Sequence, residues 1–517
     1  MPAYITDFLL HCGATLFATT AYADAPNILI GLLTLPAIAA YLQPSPDAKK
    51  EPKPPTIKLD DNGRRIDKHD SDKPDDRDPL PVKPFITAYR GAMMIITCTS
   101  ILAVDFPVFP RRFAKTENFG TSLMDLGVGS FVFGAGIVAA RQQFKQKREK
   151  SDAGFLEAMM MRLRTAVRHS LPLFILGLVR LYTVKGLNYA EHISEYGVHW
   201  NFFFTLALLP LTTAISQPLL NIIPSLNILA FVIAVIYEIV LYMTPLKRYI
   251  ILSARLEGDW LSQNREGVFS FIGYFAIFLA GMGIGQCILP RDPDPRPTTL
   301  QQHQINEANK KLSDKARAEQ DPLDEDADWL NSVIDPASHD PNSTNKNAGD
   351  RIEGASMGQI FEEMILPQSP TILRLGKWTF IWFVFSLWAM WRYGPHLFVS
   401  RRMANCAYVC WVCCFNCAQL LLFAGVEKLM WRDLWHSVDA ATERRRVREA
   451  TSRVLAAFNR NGLVLFLLAN LLTGGINLSV RTWYVGDTEA MVILLGYIGV
   501  IAGTGLVLDH LDVGIKL

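Results

Sequence analysis

The sequence predicts an all-α, polytopic bundle of about 12–13 transmembrane helices joined by disordered cytosolic linkers. Half of the 517 residues are apolar, only 19% are charged, and the formal net charge is +2. Most of the charge falls in four connectors, which separate apolar stretches of about 20 residues, the length of a membrane-spanning helix. This distribution excludes a soluble enzyme, a nucleic-acid-binding protein and a disulfide-stabilised scaffold.

Twelve apolar windows are predicted as transmembrane helices. They are 4–21, 26–43, 85–105, 122–141, 166–184, 196–216, 222–244, 266–289, 373–395, 403–424, 463–480 and 489–509. Several windows are interrupted by charge, notably 85–105 by Arg90, 166–184 by Arg168 and Arg180, and 373–395 by Lys377. A cation inside a span needs a partner or a water-filled cavity, so we expect the bundle to provide one or the other.

The distribution of Lys and Arg between the connectors predicts a cytosolic N-terminus. With this orientation the cytosolic connectors 44–84, 142–165 and 425–462 carry 24 basic residues, against 11 on the opposite side. Six of these 11 cations on the side that should lack them are singled out as informative: Arg111, Arg112, Lys115, Arg265, Arg401 and Arg402. Their placement suggests an anionic ligand at that face. Pairing with internal acids or with lipid phosphates is the alternative.

The connectors divide the chain into seven segments. They are two spans (1–43), a charged linker (44–84), a bundle with a candidate catalytic hairpin (85–289), an acidic loop (290–372), further spans (373–424), a basic segment (425–462) and the C-terminal spans (463–517). The linker and the acidic loop are expected to be disordered, because they are highly charged and rich in proline or acids. The basic segment is expected to form an amphipathic helix on the membrane surface.

The densest polar cluster lies between the third and fourth predicted spans. Asp105 ends one span, Asp125 opens the next, and two prolines and three cations lie between them. Asp105 and Lys115, ten residues apart across this proline-bent hairpin, can face one cleft. There the pair could remove a proton from a hydroxyl group and stabilise a developing oxyanion. A structural salt bridge that closes the hairpin is the alternative.

A group of cysteines in the window 403–424 favours packing over metal binding. Cys406, Cys410, Cys413 and Cys417 share one helix face, but no cation or histidine lies near them in sequence to favour thiolates. We therefore predict no metal site.

Eight sequence blocks carry a resemblance to a known family. They are ILAVDFP (101–107), FPRRFAK (109–115), MDLGVG (124–129), EYGVHWNFF (195–203), NREG (264–267), SRRMAN (400–405), NRNG (459–462) and FLLAN (466–470). Together, and in this order, they resemble the GPI inositol acyltransferases, called GPI-anchored wall transfer protein in fungi and PIG-W in animals. The resemblance covers almost the whole chain outside the two disordered segments.

This resemblance implies a multi-pass enzyme of the endoplasmic reticulum membrane that acts in GPI-anchor biosynthesis. The enzyme would move a fatty acyl chain, usually palmitoyl, from acyl-CoA to the 2-hydroxyl of inositol in glucosaminyl-phosphatidylinositol. No cofactor is implied beyond the donor, and the partners are palmitoyl-CoA, the lipid acceptor and the bilayer, with no nucleic acid. The motifs would face the lumen and the long acidic loop the cytosol.

The resemblance also implies roles for individual residues. Asp105 and Lys115 match the family's catalytic pair, and Gly91 lies in the Tyr89-Arg90-Gly91 match near which resistance to an antifungal inhibitor class maps. The expected substrate-binding or acyl-CoA-binding residues are Arg111, Arg112, Asp125, His199, Trp200, Asn201, Asn264, Arg265, Arg401 and Arg402.

Two alternatives for function stay open. A transporter or flippase would use the same intramembrane charges to mark a solute path. An acyltransferase could also use His199, beside Glu195 and Asn201, as its base, although a lone histidine is more often structural. Separately, the start of the chain resembles the family's second helix, so we expect one further family helix to precede it.

Overall fold

A computed structural model describes residues 3–42, 78–149, 155–186, 195–216, 219, 223, 225–292, 370–393, 398–431, 434–435 and 440–514. Every regular element within these ranges is helical. The α-helices are α1 (Ala3–Phe8), α2 (Ala14–Thr19), α3 (Pro26–Leu42), α4 (Pro84–Ala103), α5 (Leu123–Glu149), α6 (Phe155–Gly186), α7 (Phe202–Ile215), α8 (Leu226–Met243), α9 (Leu246–Leu252), α10 (Trp260–Ile288), α11 (Thr371–Tyr393), α12 (Cys406–Met430), α13 (Ala440–Glu449), α14 (Arg453–Arg460), α15 (Gly462–Ser479) and α16 (Asp487–His510). Most of the segments 44–84 and 290–372 lies outside the described residues.

The predicted fold class is confirmed, because each of the twelve predicted windows coincides with helix. Eight helices are long and apolar enough to cross a membrane: α4, α5, α8, α10, α11, α12, α15 and α16. The other windows fall short for identifiable reasons. A π-helical turn at Leu9–Gly13 divides the first, α3 has only 17 residues, α6 carries several charges, and α7 has only 14 residues.

α10 is the centre of the larger of two apolar cores. Nearly every side chain from Gly273 to Ile288 is buried, and the helix packs against α5, α8 and α12. The backbones of α5 and α10 touch at two glycines. A Cβ on Gly136 would overlap the Phe278 carbonyl oxygen, and one on Gly281 would overlap the Phe133 carbonyl oxygen. Small residues are required where two helices approach this closely.

The second core joins the N-terminal helices to the last part of the chain. α4 packs here against α14 and α15, while α16 packs against α14, and α2 also contacts α4. α4 therefore belongs to both cores and links them. The four cysteines that share a face of α12 are buried in the larger core, as the packing interpretation expects.

The basic segment 425–462 differs from the single amphipathic surface helix that we expected. Its described residues form the end of α12, then α13, then α14. Ser452 caps α14 by accepting a hydrogen bond from the Leu455 backbone N–H at 3.2 Å. The apolar side of α14 is buried against α4, because Val454, Leu455 and Phe458 all lie on that side.

Connectors that the charge count assigns to one side of the membrane meet on one face of the bundle. The Gly120 backbone N–H donates to the Val399 carbonyl oxygen at 2.8 Å, which joins the α4–α5 hairpin to the loop before α12. At the opposite face, Lys83 Nζ donates to the Pro290 carbonyl oxygen at 2.9 Å. Arg291 there pairs with Glu443 at 2.7 Å. Connectors thus meet on the two faces in the alternating order that the predicted topology requires. The assignment of one face to the lumen stays a prediction.

The glycine contact between α5 and α10 yields a stability prediction. We expect Gly136→Ala to lower the free energy of unfolding by about 1–3 kcal/mol, because the added methyl group overlaps backbone atoms that cannot rotate away. Thermal unfolding in nanodiscs measures the effect. Gly134→Ala, on the same helix, is the matched control, since nothing lies within 4 Å of a Cβ there. Equal stability of the two variants would contradict the close contact.

Candidate active site

A cavity of ≈ 2080 Å³ runs through the bundle between α4, α5, α6 and α15. Its lining is mostly apolar along its length. Five of the residues predicted for the site line it: Asp105, Lys115, Trp200, Asn201 and Arg401.

Asp105 and Lys115 lie at the same end of this cavity, on the hairpin that joins α4 to α5. Asp105 Oδ2 accepts a hydrogen bond at 2.9 Å from Asn477 Nδ2, on α15. Lys115 Nζ lies 2.9 Å from Glu195 Oε1, in the loop that precedes α7. The two side chains are held by different partners. The alternative of a salt bridge between them that closes the hairpin is therefore wrong.

Lys115 is the exposed end of a chain of alternating charges. Glu195 Oε1, which meets Lys115, also accepts a hydrogen bond from Arg401 Nη2 at 3.4 Å. Arg401 Nε in turn donates to Asp125 Oδ1 at 2.9 Å. We call Asp125, Arg401, Glu195 and Lys115 the charge chain. It ties the hairpin and the start of α5 to the loops that precede α7 and α12.

Asp125 anchors the charge chain from a fully buried position. Besides Arg401, it accepts hydrogen bonds from Thr116 Oγ1 at 2.7 Å and from Ser122 Oγ at 2.8 Å. Three donors compensate the burial of its carboxylate. Because Thr116 directly follows Lys115, these bonds also fix the backbone that carries the lysine. Asp125 does not itself line the cavity, so its position indicates a supporting role.

Arg401 stays charged although it is almost fully buried. Burial acts to lower the pKa of its guanidinium, but the carboxylate of Glu195 and other neighbours outweigh this, so the pKa lies above its ordinary value. Arg401 can therefore hold both acids of the charge chain throughout the physiological pH range.

Arg265 and Arg402 were expected to bind substrate or acyl-CoA, but both turn toward a buried acid. Arg402 Nη2 lies 2.7 Å from Glu266 Oε1, and Arg265 Nε lies 3.6 Å from the same oxygen. Arg255 joins them at 2.9 Å. The cluster fastens the loops before α10 and α12 and lies outside the cavity lining.

Arg111 and Arg112 also lie outside the lining. Arg111 Nη1 donates to the Val104 carbonyl oxygen at 2.9 Å, and its guanidinium lies over the Trp483 ring. Arg112 Nη1 is 2.6 Å from Asp24 Oδ1 at an exposed position. Both side chains connect the hairpin to neighbouring segments.

The block 195–203 is ordered by asparagines. Asn264 Oδ1 accepts hydrogen bonds from the backbone N–H groups of His199 at 2.8 Å and Trp200 at 2.9 Å. Asn201 caps α7 by accepting from the Phe203 N–H at 3.0 Å, as its sequence position before the helix suggests. His199 Nε2 lies 3.0 Å from Gln263 Oε1 and does not line the cavity. Its position gives no support to a role as the base.

Gly91 lies at a contact between helices rather than in the cavity. A Cβ there would overlap the Leu455 backbone of α14, so only glycine fits. Its neighbours Tyr89 and Arg90 do line the cavity.

Two residues at the Asp105 end of the cavity were absent from the predicted site. Glu195 was noted only as a neighbour of His199, although it opens the block EYGVHWNFF at the edge of a span. Asn477 is one of two asparagines in the window 463–480, and such a polar residue in an apolar span is a usable signal. The sequence alone does not show that Glu195 pairs with Lys115 or that Asn477 pairs with Asp105.

Comparison with known proteins identifies relatives along the whole chain. A family model described as GWT1 matches residues 1–508. GPI-anchored wall transfer protein 1 of Aspergillus oryzae is 43% identical over 518 residues, which cover 100% of this chain and 89% of the relative. The proteins of the same name from Candida albicans and Saccharomyces cerevisiae are 33% and 34% identical, over 100% and 99% of this chain and 90% and 89% of the relatives.

The charge chain predicts a large effect at Arg401. Arg401→Gln should lower the free energy of unfolding by about 3–5 kcal/mol, because it leaves the Asp125 carboxylate buried without a countercharge. Thermal unfolding in nanodiscs measures the loss. Arg112→Gln is the matched control, since its exposed pair with Asp24 contributes less than about 1 kcal/mol. Similar losses of unfolding free energy in the two variants would contradict a stabilising role of the charge chain.

Proposed function

Because the chain belongs to the GWT1 family, we propose that it is an acyltransferase of GPI-anchor biosynthesis. The donor is acyl-CoA, with palmitoyl as the expected acyl group. The acceptor is the inositol 2-hydroxyl of glucosaminyl-phosphatidylinositol. The enzyme is a multi-pass protein of the endoplasmic reticulum membrane, and the Asp105 end of its cavity faces the lumen.

The observation that carries this proposal is one cavity with a carboxylate and an ammonium group at the same end. Asp105 and Lys115 both line it, and neither neutralises the other. At ≈ 2080 Å³ it is larger than the ~300–1,000 Å³ of a typical pocket for one small ligand. It therefore has room for a long acyl donor and a glycolipid head group together, and its apolar walls suit an acyl chain.

In the mechanism we propose, Asp105 is the general base. Asn477 occupies its Oδ2, which leaves Oδ1 to accept the proton of the inositol hydroxyl. The hydroxyl oxygen then bonds to the thioester carbonyl carbon, and the carbonyl oxygen becomes an oxyanion that the Lys115 ammonium group stabilises. When this intermediate collapses, the carbon–sulfur bond breaks, and the CoA thiolate takes up the proton that Asp105 held.

Direct attack without an acyl-enzyme intermediate is the route that fits the lining. No cysteine lines the described part of the cavity. Ser100 and Ser130 do line it, but their hydroxyl groups have no hydrogen-bond partner among the described residues, so no base activates them. A serine without a base is a weak nucleophile.

Glu195 is a positioning residue in this mechanism. It holds the Lys115 ammonium at 2.9 Å, and the rest of the charge chain holds Glu195. The lysine side chain is flexible and 41% exposed, so without this partner its ammonium group would sample many positions.

The proposed pair predicts a selective loss of activity. Asp105→Asn and Lys115→Ala should each reduce acyl transfer by about 10²-fold or more, because one removes the base and the other the stabilising cation. The measurement is transfer of radiolabelled palmitoyl from palmitoyl-CoA to glucosaminyl-phosphatidylinositol by the purified protein in nanodiscs.

Asp24→Asn and Lys428→Ala are the matched controls, since both residues are exposed and lie outside the cavity lining. They should retain wild-type transfer. Full activity of folded Asp105→Asn or Lys115→Ala would rule out this assignment. Wild-type protein that moves the lipid acceptor across a bilayer but forms no acylated product would instead favour a transporter or flippase.

A further inference from the structure

Three arginines that line the cavity have no hydrogen bond or ion pair with any described residue. They are Arg90 on α4 and Arg162 and Arg168 on α6. The other cations of the lining have partners: Lys83, Lys115, Arg141, Arg180, Arg401 and Arg460. An arginine within a membrane-spanning bundle is costly unless water or an anion meets its guanidinium. The three therefore mark a part of the cavity that is suited to an anion.

These arginines lie far from the reacting end. Arg90 precedes Asp105 by fifteen residues, almost all of them in α4, which corresponds to about 22 Å along the helix axis. α6 begins on the same far side, because only residues 150–154 separate it from the end of α5. On α6, Gly177 lies next to the N-terminus of α7, because its carbonyl oxygen accepts a hydrogen bond from Asn201 Nδ2, the residue that caps α7. Arg168 lies nine residues earlier, about 14 Å toward the far side.

We propose that Arg90, Arg162 and Arg168 bind the phosphate groups of the acyl-CoA donor in the far half of the cavity. This inference rests on the proposed function. Guanidinium groups form charge-assisted, often bidentate hydrogen bonds with phosphate, and CoA carries three phosphates to receive them. The site replaces the arginines that were expected from sequence to bind substrate or acyl-CoA. Of those, Arg111, Arg112, Arg265 and Arg402 lie outside the cavity lining, and Arg401 is held by two acids.

The distance between these arginines and Asp105 suits the phosphates of the acyl-CoA donor and not the phosphate of the lipid acceptor. In the acceptor lipid the phosphodiester is attached to the carbon next to the reacting hydroxyl, so it must stay within a few bonds of Asp105. In acyl-CoA about thirteen bonds separate the thioester sulfur from the diphosphate, which is ~15 Å when extended. The length of an arginine side chain can cover the remaining distance. The donor thus enters by the mouth opposite to Asp105, which the predicted orientation places at the cytosol.

The test compares two donors that differ in phosphate. S-palmitoylpantetheine has the same thioester and arm as palmitoyl-CoA but no phosphate. In Arg90→Gln, and in the double variant Arg162→Gln/Arg168→Gln, the KM for palmitoyl-CoA should rise about tenfold or more, while the KM for S-palmitoylpantetheine stays unchanged. Arg164→Gln is the matched control, since Arg164 lies on α6 outside the cavity lining and should behave as wild type.

Binding of coenzyme A itself, measured by calorimetry, provides a readout that does not need activity. Arg90→Gln and the double variant should weaken it about tenfold, and Arg90→Lys should weaken it less. Equal KM changes for both donors, a change confined to the lipid acceptor, or wild-type affinity for coenzyme A would each overturn the proposal. If wild-type protein binds coenzyme A through these arginines but transfers no acyl group, the proposed function fails while the phosphate site stands. If Arg90→Gln does not fold, the α6 variant decides.

Discussion

The Asp105 end of the cavity is organised by the charge chain from Asp125 to Lys115. Three connectors that are far apart in sequence meet there, and the Asp125–Arg401 link alone spans 276 positions. Because Asp125 and Arg401 are buried, any arrangement that separates them exposes a lone charge to a low-dielectric interior. A buried ion pair of this kind is weak support for net stability, but it discriminates strongly between alternative packings. The outcome is one defined position for the Lys115 ammonium at the same end of the cavity as Asp105.

The cavity itself follows from unequal helix packing. Glycines bring α5 and α10 into backbone contact, and α10 is buried along most of its length. α6, by contrast, packs mainly against α7, so it forms a wall that stands away from α4 and α5. Close packing on one side gives a rigid frame for the charge chain. Looser packing on the other side leaves the apolar space that a long acyl chain needs.

Sequence patterns predicted the helices well, since apolar windows are local signals. The sidedness that the basic connectors indicate stays a prediction. They also placed Asp105 and Lys115 at one end of the bundle. They did not identify partners, because Asn477 lies 372 positions from Asp105. The charge count singled out cations on the side predicted to lack them, yet sequence alone left open whether they meet an anionic ligand or internal acids. Arg265, Arg401 and Arg402 meet acids, Glu266 for two of them and the charge chain for the third.

Burying an arginine in a membrane is costly, and this cost bears on α6 in two ways. Its arginines lower the apolar character of the helix, so by length and composition it is not among the clear membrane spans. Yet a membrane helix that keeps such residues must present them to water or to an anion, because hydrocarbon would penalise each by several kcal/mol. α6 presents Arg162 and Arg168 to the cavity, as α4 presents Arg90. The arginines that lower the hydropathy of α6 are therefore the residues that we propose as phosphate ligands in the far half of the cavity.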